Sequence, residues 1–178
     1  MSEAHEPAAS AGRPIAARLP AHLAGWPKRR PPAAGVSIGG WVHRPLSLDA
    51  AELERQGAVD IPEFIVQCTL NGQHGAPRRL RGTRLAPLIS QAEPAFAERT
   101  DFKRVAVVAE ARDGYRALFS WAELFNTLVG DGVFLVFDCA QAPLGEATGP
   151  FALISLHDKI SGPRFMRGLV AVDLHKIW

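Results

Sequence analysis

The sequence predicts a mixed α/β or α+β domain, with a mixed sheet and short helices between its strands. Three observations predict it. Short apolar or alternating runs recur along residues 35–178, each of strand length. Two capping boxes, Asp49 with Glu52 and Ser120 with Glu123, open brief helical patterns. Asp113-Gly114 sits between two β-rich runs, as a hairpin turn does.

The elements follow in order. Val36 to Val42 (VSIGGWV) reads as a first strand, weakened by its glycine pair. Asp49 caps a short helix that runs through Arg55. Glu63 to Leu70 is a strand with Phe64, Val66, Cys68 and Leu70 on one face and Ile65, Gln67 and Thr69 on the other. Asn71-Gly72 marks a turn, and NGQHGAPRRLRG reads as a polar, basic loop. Thr83 is placed to cap a helix carrying Leu85, Leu88 and Ile89, with Pro87 tolerable in its first turns. Lys103 to Glu110 is a strand that turns at Asp113-Gly114 into Tyr115–Phe119. Ser120 then opens a helix whose apolar stripe is Leu124, Phe125 and Leu128. Gly132 to Phe137 is apolar on both faces, as a covered central strand is. Residues 143–150 (PLGEATGP) read as a loop and Phe151 to Leu156 as a second covered strand. His157 to Arg167 is irregular and polar. Gly168 to His175 alternates, with Val170, Val172 and Leu174 on one side and Ala171, Asp173 and His175 on the other.

Composition excludes several classes. The 178 residues are 47% apolar and 21% charged, ordinary for one globular domain. No apolar run has the length to span a bilayer. No secretory pattern opens the chain, so cytoplasmic is the default, and periplasmic follows if the start lies elsewhere. The net charge of +2 divides into +3 on residues 1–34 and −1 on residues 35–178. The globular part therefore offers no nucleic-acid face. Residues 1–34 hold six of the fourteen prolines and much alanine, and read as a flexible basic tail preceding a domain over 35–178. Two cysteines, Cys68 and Cys139, make neither a disulfide framework nor a zinc motif. No glycine-rich phosphate loop is present: Gly39-Gly40 lacks both the spacing and a following helix.

Several landmarks stand in a familiar order: GGWV in the first strand, a cysteine at the end of the next long strand, and RLRGTRLAPLI. After them come ARDGYRALFSWAEL, PLGEATGPFALIS and ISGPRFMRGLVAVDL. In this order the chain resembles the molybdopterin-binding oxidoreductase domain of the sulfite oxidase superfamily, most nearly its small single-domain bacterial members. The resemblance covers residues 35–178. It implies a molybdenum cofactor (molybdopterin) and two-electron redox chemistry on a small-molecule substrate. It also implies a separate electron-transfer protein as partner, since neither a haem nor a flavin motif is present. It implies that Cys68 supplies a thiolate to molybdenum, and that the late loop holds the pterin phosphate through Ser161, Gly162 and the basic Arg164. It places Asp113 and Tyr115 at the border of the cofactor pocket.

Each candidate has a plainer reading. A soft thiolate suits molybdenum, yet cysteine is also among the most buried residues, and Cys68 shares a face with Phe64 and Val66. Cys139, after an apolar strand, reads as structural. His74, Arg78, Arg79 and Arg81 could bind phosphate or an oxyanion substrate; of these, His74 and Arg78 are the candidates carried forward, and a solvated loop is the alternative. Lys159, Arg164 and Arg167 flank Ser161-Gly162, where a glycine-containing loop can cradle phosphate. Asp113-Gly114-Tyr115 is explained by the turn alone. Ser155, His157 and Asp158 lie at one strand end without a nucleophile elbow, and are not read as a triad. The rival to an enzyme is a non-catalytic ligand-binding or interaction module on the same fold, without molybdenum. The reordered cysteine loop, Cys68-Thr69-Leu70-Asn71-Gly72, and Pro163, which removes an N–H, favour that rival.

Overall fold

The computed structural model describes residues 35–68, 72–139 and 149–178, with the side chains of Pro62, Cys68, residues 72–78, Asp138 and Cys139 outside that description. The expectations for the tail 1–34, the Asn71 turn position and most of the 143–150 loop fall outside it. In chain order the elements are β1 (Val36–Gly40), β2 (Leu46–Leu48), α1 (Ala50–Arg55), β3 (Val59–Cys68), β4 (Gly72–Arg84), α2 (Leu85–Gln91), β5 (Val105–Ala111), β6 (Arg116–Ser120), α3 (Trp121–Asn126), α4 (Leu128–Asp131), β7 (Val133–Cys139), β8 (Ala152–Ser155), β9 (Met166–Arg167) and β10 (Leu169–Lys176). Short 3-10 turns cover Asp101–Arg104 and Gly162–Arg164.

The fold class is the expected α+β with short helices, but the strands divide between two sheets. One runs β2-β1-β10-β5-β6 and is mixed, because β1 and β10 pair in parallel. The other runs β3-β4-β7-β8-β9 and is antiparallel throughout. Strand β7 shows why the second sheet is apolar on both faces. Val133 and Leu135 join the main core with Val36, Val107, Leu88 and Phe119, while Phe134 and Val136 join a second cluster with Ile61, Phe64, Leu80 and Ile154. Successive side chains of a strand point to opposite faces, so one strand feeds two cores.

Three local expectations change. From Gly72 onward, the stretch expected as a loop in NGQHGAPRRLRG is strand β4, paired with β3 along its length and with β7 from Leu80 on. Pairing with β3, joined by β7 from Leu80 on, overrides the poor strand propensity of its glycines, proline and arginines. Bulges absorb the irregularity, and Gly82 is required by close approach, since a Cβ there would lie 2.7 Å from the Leu135 carbonyl oxygen. Leu128 does not continue the α3 stripe. The helix breaks at Thr127, whose hydroxyl accepts from the Val129 amide to start α4, and Leu128 is left 76% exposed.

Thr83 does not cap α2. The cap position is Arg84, with no side-chain hydrogen bond, while the buried Thr83 hydroxyl donates to the Leu53 carbonyl at 2.7 Å. Thr83→Val is therefore expected to cost about 1 kcal/mol by leaving that carbonyl short of a donor. Helix content should stay unchanged in circular dichroism, and a loss of α2 would instead point to a cap. Both capping boxes are present as expected, around Asp49–Glu52 and Ser120–Glu123. No helix among the described residues is long and apolar enough to cross a membrane.

Candidate functional site

The hairpin between β5 and β6 is built by its turn residues. Asp113 accepts the Tyr115 amide at 2.9 Å, and Gly114 takes φ +88°. This presents Tyr115, 46% exposed, whose hydroxyl donates to the Pro163 carbonyl at 2.6 Å. The hairpin tip is thereby tied to the late loop. Ser161 in that loop is buried, and its hydroxyl accepts the Gln67 amide at 2.9 Å. Gln67 immediately precedes Cys68, the last residue of β3. The ring contact of Phe64 with Phe165, centroids 5.8 Å apart, adds an apolar tie between the same two segments.

Three segments distant in sequence thus meet: the Cys68 end of β3, the Asp113–Tyr115 tip and the Ser161–Arg164 turn. In the β3–β4 register Cys68 stands opposite Gly72 and Val66 opposite His74, so His74 lies two positions along the neighbouring strand. Arg78 stands further off, opposite Phe64. The side chains of Cys68, His74 and Arg78 lie outside the described atoms. Cys139 pairs with Leu80, eight positions along β4 from the partner of Cys68. That separation of roughly 26 Å along a strand rules out a disulfide between them. Arg81 is taken by the fold: it bonds Asp60 at 2.8 Å and Glu54 through two nitrogens. The Glu54 hydrogen bond, then that of Asp60, pushes its pKa further up. Arg79 is exposed.

Arg164 has three neighbours that sequence reasoning missed. Its guanidinium bonds Glu123 at 2.7 Å, approaches Asp158 at 3.5 Å, and lies 4.4 Å from the ring centroid of Phe119. Glu123 was legible as a capping residue only. Its other oxygen accepts the Ser120 amide at 2.8 Å, so one carboxylate fixes the start of α3 and holds Arg164. Desolvation would raise its pKa, but the Ser120 amide and the Arg164 guanidinium outweigh it and hold the carboxyl below its ordinary 4.5. The unfolded chain then takes up the proton first. The stabilisation is fully present above about pH 4.5 and is lost as pH falls through the lower folded value. Comparing Glu123→Gln with the wild type across pH 3–7 should show a stability gap that closes only below this point; a constant gap would contradict the assignment.

Ser155, His157 and Asp158 do not converge. Ser155 is buried in β8, a His157 ring nitrogen meets the Leu128 carbonyl, and Asp158 faces Arg164. Lys159 is exposed beside the late loop. The described residues supply no hydrogen-bond acceptor for the amides of Ser161 and Gly162. Turn amides without an acceptor among the described residues suit an anion, such as the phosphate that the resemblance implies. Among the described residues no three His, Cys, Asp or Glu side chains gather as a metal site.

No family model matches the chain, and no curated protein sequence matches it. Among solved structures it is similar to the sulfane dehydrogenase SoxCD from Paracoccus pantotrophus, at 14% identity and a TM-score of 0.58. The match covers 80% of this chain and 38% of that one, so the chain spans well under half of the protein it matches. At this identity the likeness shows the fold alone.

Proposed function

We propose that residues 35–178 form a molybdopterin-dependent oxidoreductase domain acting on a small molecule, with a separate protein accepting or supplying electrons. The observation that carries the reading is the convergence of β3, the 113–115 tip and the 161–164 turn through the Gln67–Ser161 and Tyr115–Pro163 hydrogen bonds. The shared fold with a sulfane dehydrogenase supports it. When bound, the cofactor would supply two-electron oxygen-atom chemistry. Cys68 would give it a thiolate, since the deprotonated sulfur is the metal ligand. The amides of Ser161 and Gly162 would hold the pterin phosphate, with the exposed Lys159, which has no ion pair among the described residues, as a nearby cation in sequence. Tyr115 and Asp113 would border the pocket and keep the loop in place. His74 would stand beside the thiolate strand, and Arg78, further along β4, would meet an oxyanion.

The test is the molybdenum and pterin content of protein expressed in a molybdate-fed host with pterin synthesis intact. Near-stoichiometric molybdenum with pterin fluorescence is expected. Well-folded protein without either would overturn the reading. A second reading, a binding module on the same fold without molybdenum, is favoured by one observation: Arg164 is already neutralised by Glu123 and Asp158.

A further inference from the structure

We infer that Arg164 is a positioning residue and not a phosphate ligand: the Glu123–Arg164–Asp158 ion triad holds the 161–165 turn in the shape that leaves its amides open to an anion. As regards a pterin, the inference rests on the function proposed above.

The geometry leaves the guanidinium little freedom. One nitrogen is bonded to Glu123 at 2.7 Å, another lies 3.5 Å from Asp158, and the group stacks over Phe119, which is fully buried. Glu123 cannot follow an arginine that swings away, because the capping box fixes it through the Ser120 amide and its own amide bonded to the Ser120 hydroxyl at 3.1 Å. Turning Arg164 toward a ligand would leave two carboxylates facing each other without a cation. The triad, two anions around one cation, contributes no net positive charge to the loop. What it contributes is shape. Arg164 and Phe165 donate their amides back to the Ser161 and Gly162 carbonyls at 3.0 and 3.2 Å, closing the 3-10 turn, and the Ser161 and Gly162 amides have no acceptor among the described residues. Anion affinity here comes from those amides, and Arg164 acts on it through Glu123.

The two roles predict opposite signs for one substitution. Glu123→Gln retains the capping geometry, since glutamine serves at that position, and removes the charge that holds Arg164. Were Arg164 a ligand, freeing it would tighten anion binding. As a positioning residue, its release loosens the turn and weakens binding. The experiment compares Glu123→Gln, Arg164→Gln, Arg164→Lys and the double glutamine variant with the full-length wild type. Binding of inorganic phosphate is followed by calorimetry, and amide hydrogen exchange is followed at Arg164 and Phe165. Both single glutamine variants should speed exchange at those amides and weaken phosphate binding by about tenfold, and the double should add little to either, as coupled residues do. Arg164→Lys, which keeps the charge but loses the two-sided grip, should resemble Arg164→Gln. Tighter phosphate binding in Glu123→Gln with weaker binding in Arg164→Gln would overturn the inference, as would full phosphate affinity in Arg164→Lys or unchanged exchange in all variants. A wild type that binds no phosphate would remove the anion site of the proposed function and with it the ligand part of this inference, while the exchange data would still decide whether the triad shapes the turn.

Discussion

Cys68→Ser is expected to fold as the wild type does, to retain pterin, and to lose turnover by at least about 100-fold, since even outer-shell partners of a metal site cost 10–100-fold when removed. The residue ends β3, one position after the amide that bonds Ser161. Serine keeps the size and the strand but replaces the sulfur with a hydroxyl that stays protonated near neutral pH and would be a poorer ligand for molybdenum. Pterin content should hold, because in the proposed function the phosphate contacts would lie on the 161–164 turn. With Cys68 as the proposed ligand, the electronic absorption of the bound metal should change, because sulfur would leave its ligand set. Unchanged absorption and turnover in a molybdenum-loaded variant would return Cys68 to the role of core filling. A variant that loses thermal stability in step with its cofactor would point the same way, since core packing predicts that link.

The largest structural effect is expected at Gly40. It ends β1 with φ +79°, and a Cβ there would lie 2.2 Å from the Leu174 carbonyl oxygen and 2.8 Å from the Leu174 nitrogen. Both atoms are backbone, so no flexible side chain can give way. That same carbonyl accepts the Trp41 amide at 2.8 Å, a bond that extends the β1–β10 pairing. Gly40→Ala should cost about 3 kcal/mol or more, combining overpacking with a left-handed conformation. In a chain of this size that lowers the melting temperature by about 10 °C. Gly57 is the control: its φ is +89°, but nothing lies within 4 Å of its would-be Cβ. Gly57→Ala should cost only about 1 kcal/mol, the conformational part alone. Equal losses at the two positions would mean that space at Leu174 is not the cause.

The parts of this fold that were legible in the sequence are those decided within a few residues. The capping boxes at Asp49 and Ser120, the Asp113-Gly114 turn and the doubly apolar β7 and β8 depend on local bonds or on local periodicity. Strand β4 was not legible, because its residues favour a loop and only pairing with β3, with β7 added from Leu80 on, makes it a strand. Thr83 carried a sound cap signal, but a carbonyl of α1 thirty residues away competes for its hydroxyl and wins. At the candidate site the sequence named Tyr115, Ser161 and Arg164 through a resemblance, not through spacing. Their partners are 48, 94 and 41 residues away, at Pro163, Gln67 and Glu123. No periodicity reaches that far. Glu123 shows the limit well: its capping role is written in a four-residue motif, and its hold on Arg164 is written nowhere near it.

The parallel pairing of β1 with β10 also has a consequence for how the chain is made. Ser37 bonds the Val170 carbonyl, 133 positions further on, at 3.4 Å. The first strand of the domain to leave the ribosome therefore waits for the last before its inner edge is filled. Loop closure over that length must be completed before the pairing gives anything back, which slows folding. During synthesis the Val36 and Ile38 side chains and the unpaired backbone beside them stay available to other chains, so chaperone dependence and yield should respond more to translation speed than the stability of the finished domain would suggest.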